Sequence, residues 1–106
     1  MIELKDDYIK GLSKDESYII RRSLIDAWGY PYRPDKIKIL YSSLEYKNVD
    51  DKLEKNNREI DLNDLGIIIN ALELLYFENI DLEALYDNID REDVKLLIDR
   101  LEKFHN

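Results

Sequence analysis

Seven carboxylates and a single base lie between Glu78 and Asp93. Glu78, Asp81, Glu83, Asp87, Asp90, Glu92 and Asp93 face only Arg91, a local charge of −6 over sixteen residues. Carboxylates at that density can cap helices, work in pairs as acid and base, or present a negative face to a basic partner. Capping accounts for part of them, because Asp81, Asp90 and Asp93 stand where a carboxylate favours the positive end of a helix dipole. Glu78, Glu83, Asp87 and Glu92 remain, a surplus of like charge that opposes folding by self-repulsion unless a cationic partner uses it. Tyr86 sits inside the run, with Tyr76 and Phe77 just before it. Rings among acids suit an interface in which aromatics anchor and carboxylates steer. The competing reading places Tyr76 and Tyr86 at the edge of the core and leaves the charge as solvation alone.

Other chemistry finds few parts. "DLNDLG", Asp61 to Gly66, opens like a calcium loop but puts Leu65 at position 5, and Leu72 falls at position 12 where a bidentate glutamate is needed. Gly66 falls inside a helical stripe, where its missing side chain would let another helix approach closely. The one histidine, His105, is next to last, and cysteine is absent. A catalytic triad, a thiolate or histidine metal site and a disulfide are therefore not expected. Paired carboxylates of the glycosidase kind need a sugar-binding cleft between them, which a short helical chain hardly supplies. The expectation is a non-enzyme with no catalytic residue, no cofactor and no metal.

"WGYPYRPDK", Trp28 to Lys36, concentrates aromatics, glycine and both prolines of the chain. Gly29 is suited to close a helix, Tyr30 to pack back on it, and Pro31 to stop it resuming. Pro34 restrains Arg33 to an extended shape. Tyr32 and Arg33 have no such structural assignment. Both are types common at interface hot spots, so they form the flank of the candidate site. The partner-binding set is then Glu78, Asp81, Glu83, Tyr86, Asp87 and Asp90, flanked by Tyr32 and Arg33.

The elements that must carry these residues read as helices. Ser13 and Glu16 are a capping-box pair, and Ile20, Leu24, Ala27 and Trp28 recur at helical spacing, predicting a helix over 14–28. Ile37, Leu40, Tyr41 and Leu44 predict a second from Asp35 to Lys47. Ile37, Ile39 and Tyr41 also alternate as in a strand, so a short edge hairpin of residues 1–5 with 37–41 is the alternative. Residues 47–59 are polar, with only Val49 and Leu53 to anchor a turn of helix, and read as a mobile connection. Asp61 and Asp64 open the most apolar helix, with Leu62, Leu65, Ile69, Leu72 and Tyr76 on one stripe and apolar residues nearly all round, which predicts a central, buried helix. A two-turn helix after Asp81 and a last amphipathic one carrying Val94, Leu97, Ile98 and Leu101 complete an all-α bundle of four to five helices in one domain. Ile60 to Glu73 resembles Ile89 to Glu102 at an offset of 29, with Ile60, Asp61, Asp64, Ile69, Leu72 and Glu73 repeated. Two copies fall short of the three or so that a solenoid requires.

Composition narrows the partners. The 106 residues hold 24 acids and 16 bases, a net charge of −8, and the whole excess lies beyond residue 53. Such a surface repels phosphate backbones and anionic lipid, and it favours a basic protein. The opening "MIELKDDYIK" carries acids where an export signal needs a basic region, and "LGIIINALELLYF" falls short of the roughly 20 apolar residues that cross a bilayer. A cytoplasmic chain, without direct nucleic-acid or membrane binding, is expected.

Small, acidic, cysteine-free and helical, with the opening "MIELK" and its acid-and-tyrosine segment, the chain resembles the small helical immunity proteins that bacteria make against their own toxins, nuclease bacteriocins above all. The resemblance is one of type and assigns no residue. It implies a stoichiometric inhibitor that occupies the basic surface of a nuclease with carboxylates where phosphates would lie. Two other readings share the acidic face: a DNA mimic of a phage or mobile element, and a helical regulatory or assembly subunit with surplus apolar surface on Leu62 to Phe77.

Overall fold

Ser13 starts the first helix through a reciprocal capping box. Its hydroxyl accepts from the Glu16 amide at 3.0 Å, and its own amide donates to Glu16 Oε1 at 2.9 Å. In the computed structural model, which describes residues 2–29, 41–55, 59–77 and 89–105, helix α1 follows over Lys14–Gly29. It buries Ile19, Ile20, Leu24 and Ala27.

A hairpin precedes it. Strands β1 (Glu3–Lys5) and β2 (Tyr8–Lys10) pair antiparallel with Leu4 opposite Ile9. The two-residue turn is Asp6 and Asp7, both with positive φ (55° and 67°), as a type I′ connection requires. Strand structure within residues 1–5 is therefore present, and its partner among the described residues is Tyr8–Lys10. Residues 37–40 lie outside the described residues, and Tyr41 occupies a bend. On the far side of β2, strand β3 (Ile60–Asp61) sets Ile60 opposite Ile9, giving the order β1-β2-β3. The Leu62 amide donates to the Asp7 carbonyl at 2.9 Å and ties the hairpin turn to the chain that follows β3.

Helix α2 runs over Ser43–Lys55. This corrects two expectations. The helix does not run through Tyr41, and residues 47–55 are helix where a polar connection was expected. Ser42 and Glu45 form a second capping box, with the Glu45 amide 3.2 Å from the Ser42 hydroxyl. Leu44, assigned to the apolar stripe, is 64 % exposed. The buried stripe is instead Tyr46, Val49, Asp50 and Leu53, at the i, i+3, i+4, i+7 spacing of one helix face. Asp50 is tolerated there because Arg21 of α1 donates to its Oδ1 at 2.9 Å.

Asp61 caps a short 3₁₀ turn over Leu62–Asp64 by accepting from the Asn63 amide, and α3 continues over Leu65–Tyr76. This helix is the centre of the fold, as its near-continuous apolar pattern predicts: Leu65, Ile68, Ile69, Ala71, Leu72, Leu74 and Leu75 are all buried. α1 and α2 pack on each other and on α3, while the last helix, α4 (Arg91–Glu102), packs on α3 from another side. α4 buries Val94, Leu97, Ile98 and Leu101. Gly66 serves a contact different from the expected helix approach, since a Cβ there would meet Tyr41 Oη at 3.1 Å and His105 Nε2 at 3.3 Å. Two side-chain tips, one from before α2 and one from beyond α4, converge over it.

The 29-residue echo extends to structure. Ile60 and Ile89 are both buried ahead of a capping aspartate, and each aspartate, Asp61 or Asp90, accepts from the amide two residues on at 3.0 Å. The helix expected after Asp81 falls outside the described residues. Among those described, the architecture is a compact, mostly helical domain of four α-helices and a three-stranded antiparallel sheet. Its radius of gyration, 12.7 Å, is that of a close-packed chain of about this length.

Candidate functional site

The two flanks of the acidic run are built from α3 and α4. Tyr76 ends α3, and the Phe77 amide closes its last turn on the Glu73 carbonyl at 3.0 Å. The Tyr76 and Phe77 rings meet edge to face, with centroids 4.9 Å apart. At the other flank Ile89 is buried and Asp90 takes the extended conformation of an N-cap, its Oδ1 accepting from the Glu92 amide. Arg91 then turns back: Nη1 donates to the Tyr76 carbonyl, and the guanidinium carbon lies 5.4 Å from the Tyr76 ring centroid. A cation over an aromatic face at this distance is attracted by the ring quadrupole.

This has an electrostatic consequence for the acidic run. Its one base has Tyr76 among its contacts, and Glu92 and Asp93 are exposed and form no ion pair with a described residue. Lys95, the next base along α4, is held by Asp99 at 3.0 Å. Of the residues expected to bind a partner, Asp90 is exposed at the start of α4 with one carboxylate oxygen committed to capping. Glu78, Asp81, Glu83, Tyr86 and Asp87 lie outside the described residues, as do Tyr32 and Arg33.

A negative pair that the run itself does not contain stands one turn before Tyr76. Burial pushes the Glu73 carboxyl above its ordinary range, and the charge of Glu102 on α4 pushes it further. The folded state therefore holds a proton on Glu73 more tightly than the unfolded chain. The stability that this proton confers is fully present below the unfolded pKa and is lost as pH rises through the folded one. Glu73→Gln should raise Tm at pH 7, and the gain should vanish when both forms are compared at a pH below the ordinary glutamate range. Thermal melts at the two pH values check this; an equal gain at both would assign the effect to packing. The repeated glutamate of the 29-residue echo is the signal that could have pointed to the pair, because Glu73 and Glu102 are equivalent positions in it.

Elsewhere several charges are committed internally. A depression of about 660 Å³ between α1 and α2 is lined by Tyr18, Ile25 and Leu53 together with Lys14, Arg21 and Arg22. Arg21 bonds Asp50 and lies 3.6 Å from Glu54, while Arg22 lies 3.9 Å from Asp26. The Asp50 hydrogen bond raises the Arg21 pKa further. In the "DLNDLG" segment, Lys52 sits 3.3 Å from Asp61 and 2.7 Å from Asp64. The Asn63 amide and then Lys52 hold the Asp61 carboxyl below its ordinary value. Both carboxylates there answer to a lysine of α2.

Among the described residues no group of three histidines, cysteines or carboxylates is placed to hold a metal ion, and no helix is long and apolar enough to cross a membrane. Comparison with protein-family models, with curated proteins and with solved structures returned no match.

Proposed function

We propose that this chain is a stoichiometric protein inhibitor, of the immunity-protein type, that binds and neutralises a basic toxin such as a nuclease in the cytoplasm of the cell that makes it. It works by occupation and not by catalysis, and it needs no cofactor. The observation that carries the reading is the unbalanced charge of Glu78 to Asp93, seven acids against one base. A surplus of like charge opposes folding by self-repulsion, and a basic partner relieves that repulsion on binding.

The central helix also supports inhibition over an assembly subunit. Self-association through Leu62 to Phe77 needs spare apolar surface, yet most of that helix is buried within the chain itself.

The test is affinity capture of the tagged protein from its native cells at low salt, followed by elution with rising salt. A single basic protein should elute as salt is raised, and its toxic or nuclease activity should be lost at one-to-one stoichiometry. Recovery of an acidic partner, or of none, would overturn the reading.

A further inference from the structure

The first turn of α1 passes beside the first half of α4, and a depression of about 290 Å³ lies between them. Its floor is apolar: Ile19 and Leu97 are buried, and Leu96 is 48 % exposed. Its rim is acidic. Glu16 is spent twice, on the Ser13 amide through Oε1 and on Arg100 through Oε2 at 3.0 Å. Arg100 is thereby neutralised, and Asp15 and Asp93 remain, both exposed and neither in an ion pair with a described residue. The volume lies just under the ~300–1,000 Å³ of small-molecule pockets. It suits one anchoring side chain better than a free ligand.

We infer that this groove is the anchor point for the basic partner. It takes a segment that presents an apolar side chain next to a lysine or arginine, with the apolar group on Ile19, Leu96 and Leu97 and the cation between Asp15 and Asp93. The inference rests on the inhibitor reading and makes it local. Charge complementarity selects the occupant, because two uncompensated carboxylates border the exposed leucine. Asp93 is also the last residue of the acidic run, so the groove takes up where the run ends in sequence. Leu96 then stands as the central anchor and the carboxylates as the rim that fixes register.

The test uses the full ¹⁵N-labelled chain and the peptide acetyl-Lys-Leu-Lys-Leu-Arg-amide at low salt. Saturable shifts are expected at the amides of Asp15, Ile19, Asp93, Leu96 and Leu97. Asp15→Asn with Asp93→Asn should weaken binding by about tenfold, and so should Leu96→Ser alone. Both changes are at exposed positions, and an unchanged helical signal verifies the fold. No saturable binding, shifts confined to Glu78 through Asp87, or unaltered affinity in both variants would overturn the groove. Concentration-dependent shifts without peptide, abolished by Leu96→Ser, would overturn it in favour of a second copy of the chain. All of these leave the inhibitor reading standing if salt still elutes one basic protein in the capture experiment, so the two failures are separable.

Discussion

Tyr46→Phe lowers the free energy of unfolding by about 1–3 kcal/mol, read as a fall in Tm of roughly 5–20 °C. Tyr46→Ala lowers it by about 3–5 kcal/mol. Tyr46 is fully buried on α2, its hydroxyl donates to Asn70 Oδ1 on α3, and its ring meets Tyr41 edge to face at 6.0 Å. The phenylalanine variant keeps the ring and removes the donor, so that Asn70, itself 3 % exposed, loses a partner where water cannot replace it. The alanine variant also removes the ring that seats α2 on the core. Thermal and urea melts followed by circular dichroism separate the two contributions. A phenylalanine variant as stable as the parent would show that the buried hydroxyl carries no weight.

The second large effect is kinetic. Glu83→Lys together with Asp87→Lys takes the charge of residues 78–93 from −6 to −2. Association with the captured basic partner should slow by about tenfold or more at low ionic strength, and its dependence on salt should flatten, because steering scales with the potential that the run projects. Exposed charges lose most of their reach beyond a Debye length, about 8 Å at physiological ionic strength, so the difference between parent and variant should narrow as salt rises. Stopped-flow association at two ionic strengths measures both quantities. Unchanged association rates at low salt would remove the acidic run from the docking face.

Three of the four described helices are legible from their caps and stripes. Ser13 with Glu16, Asp61 with the apolar run behind it, and Asp90 with Val94, Leu97, Ile98 and Leu101 locate α1, α3 and α4, because these signals are local and the structure leaves them local. α2 is shifted for a physical reason. Its buried face includes Asp50, whose place inside depends on Arg21, 29 residues away in sequence. A window centred on residues 47–55 therefore looks polar, while Ile37, Leu40, Tyr41 and Leu44 compete with a cleaner apolar spacing. Ser42 and Glu45, three residues apart, are the local pair that marks where the helix starts. The hairpin was obscured for a similar reason, since its turn is two aspartates in the left-handed region and not the usual Asn-Gly. At the candidate site, the density of acids and the capping role of Asp90 are legible. The contact of Arg91 with Tyr76 and the groove at Leu96 are not, because each joins elements far apart in sequence, and the Glu73–Glu102 opposition is marked only by the 29-residue echo.

The junction of β2 with β3 also shapes how the chain folds. Ile9 opposite Ile60 closes a loop of about fifty residues that holds all of α1 and α2. The chain entropy of closing such a loop is on the order of 3–4 kcal/mol, more than a two-residue ladder returns by hydrogen bonding alone. The ladder is therefore expected to form after α1 and α2 have settled on α3 and shortened the gap. On that order the small sheet would be a late clasp, adding little to the speed of folding and resisting opening once Ile9 and Ile60 are buried.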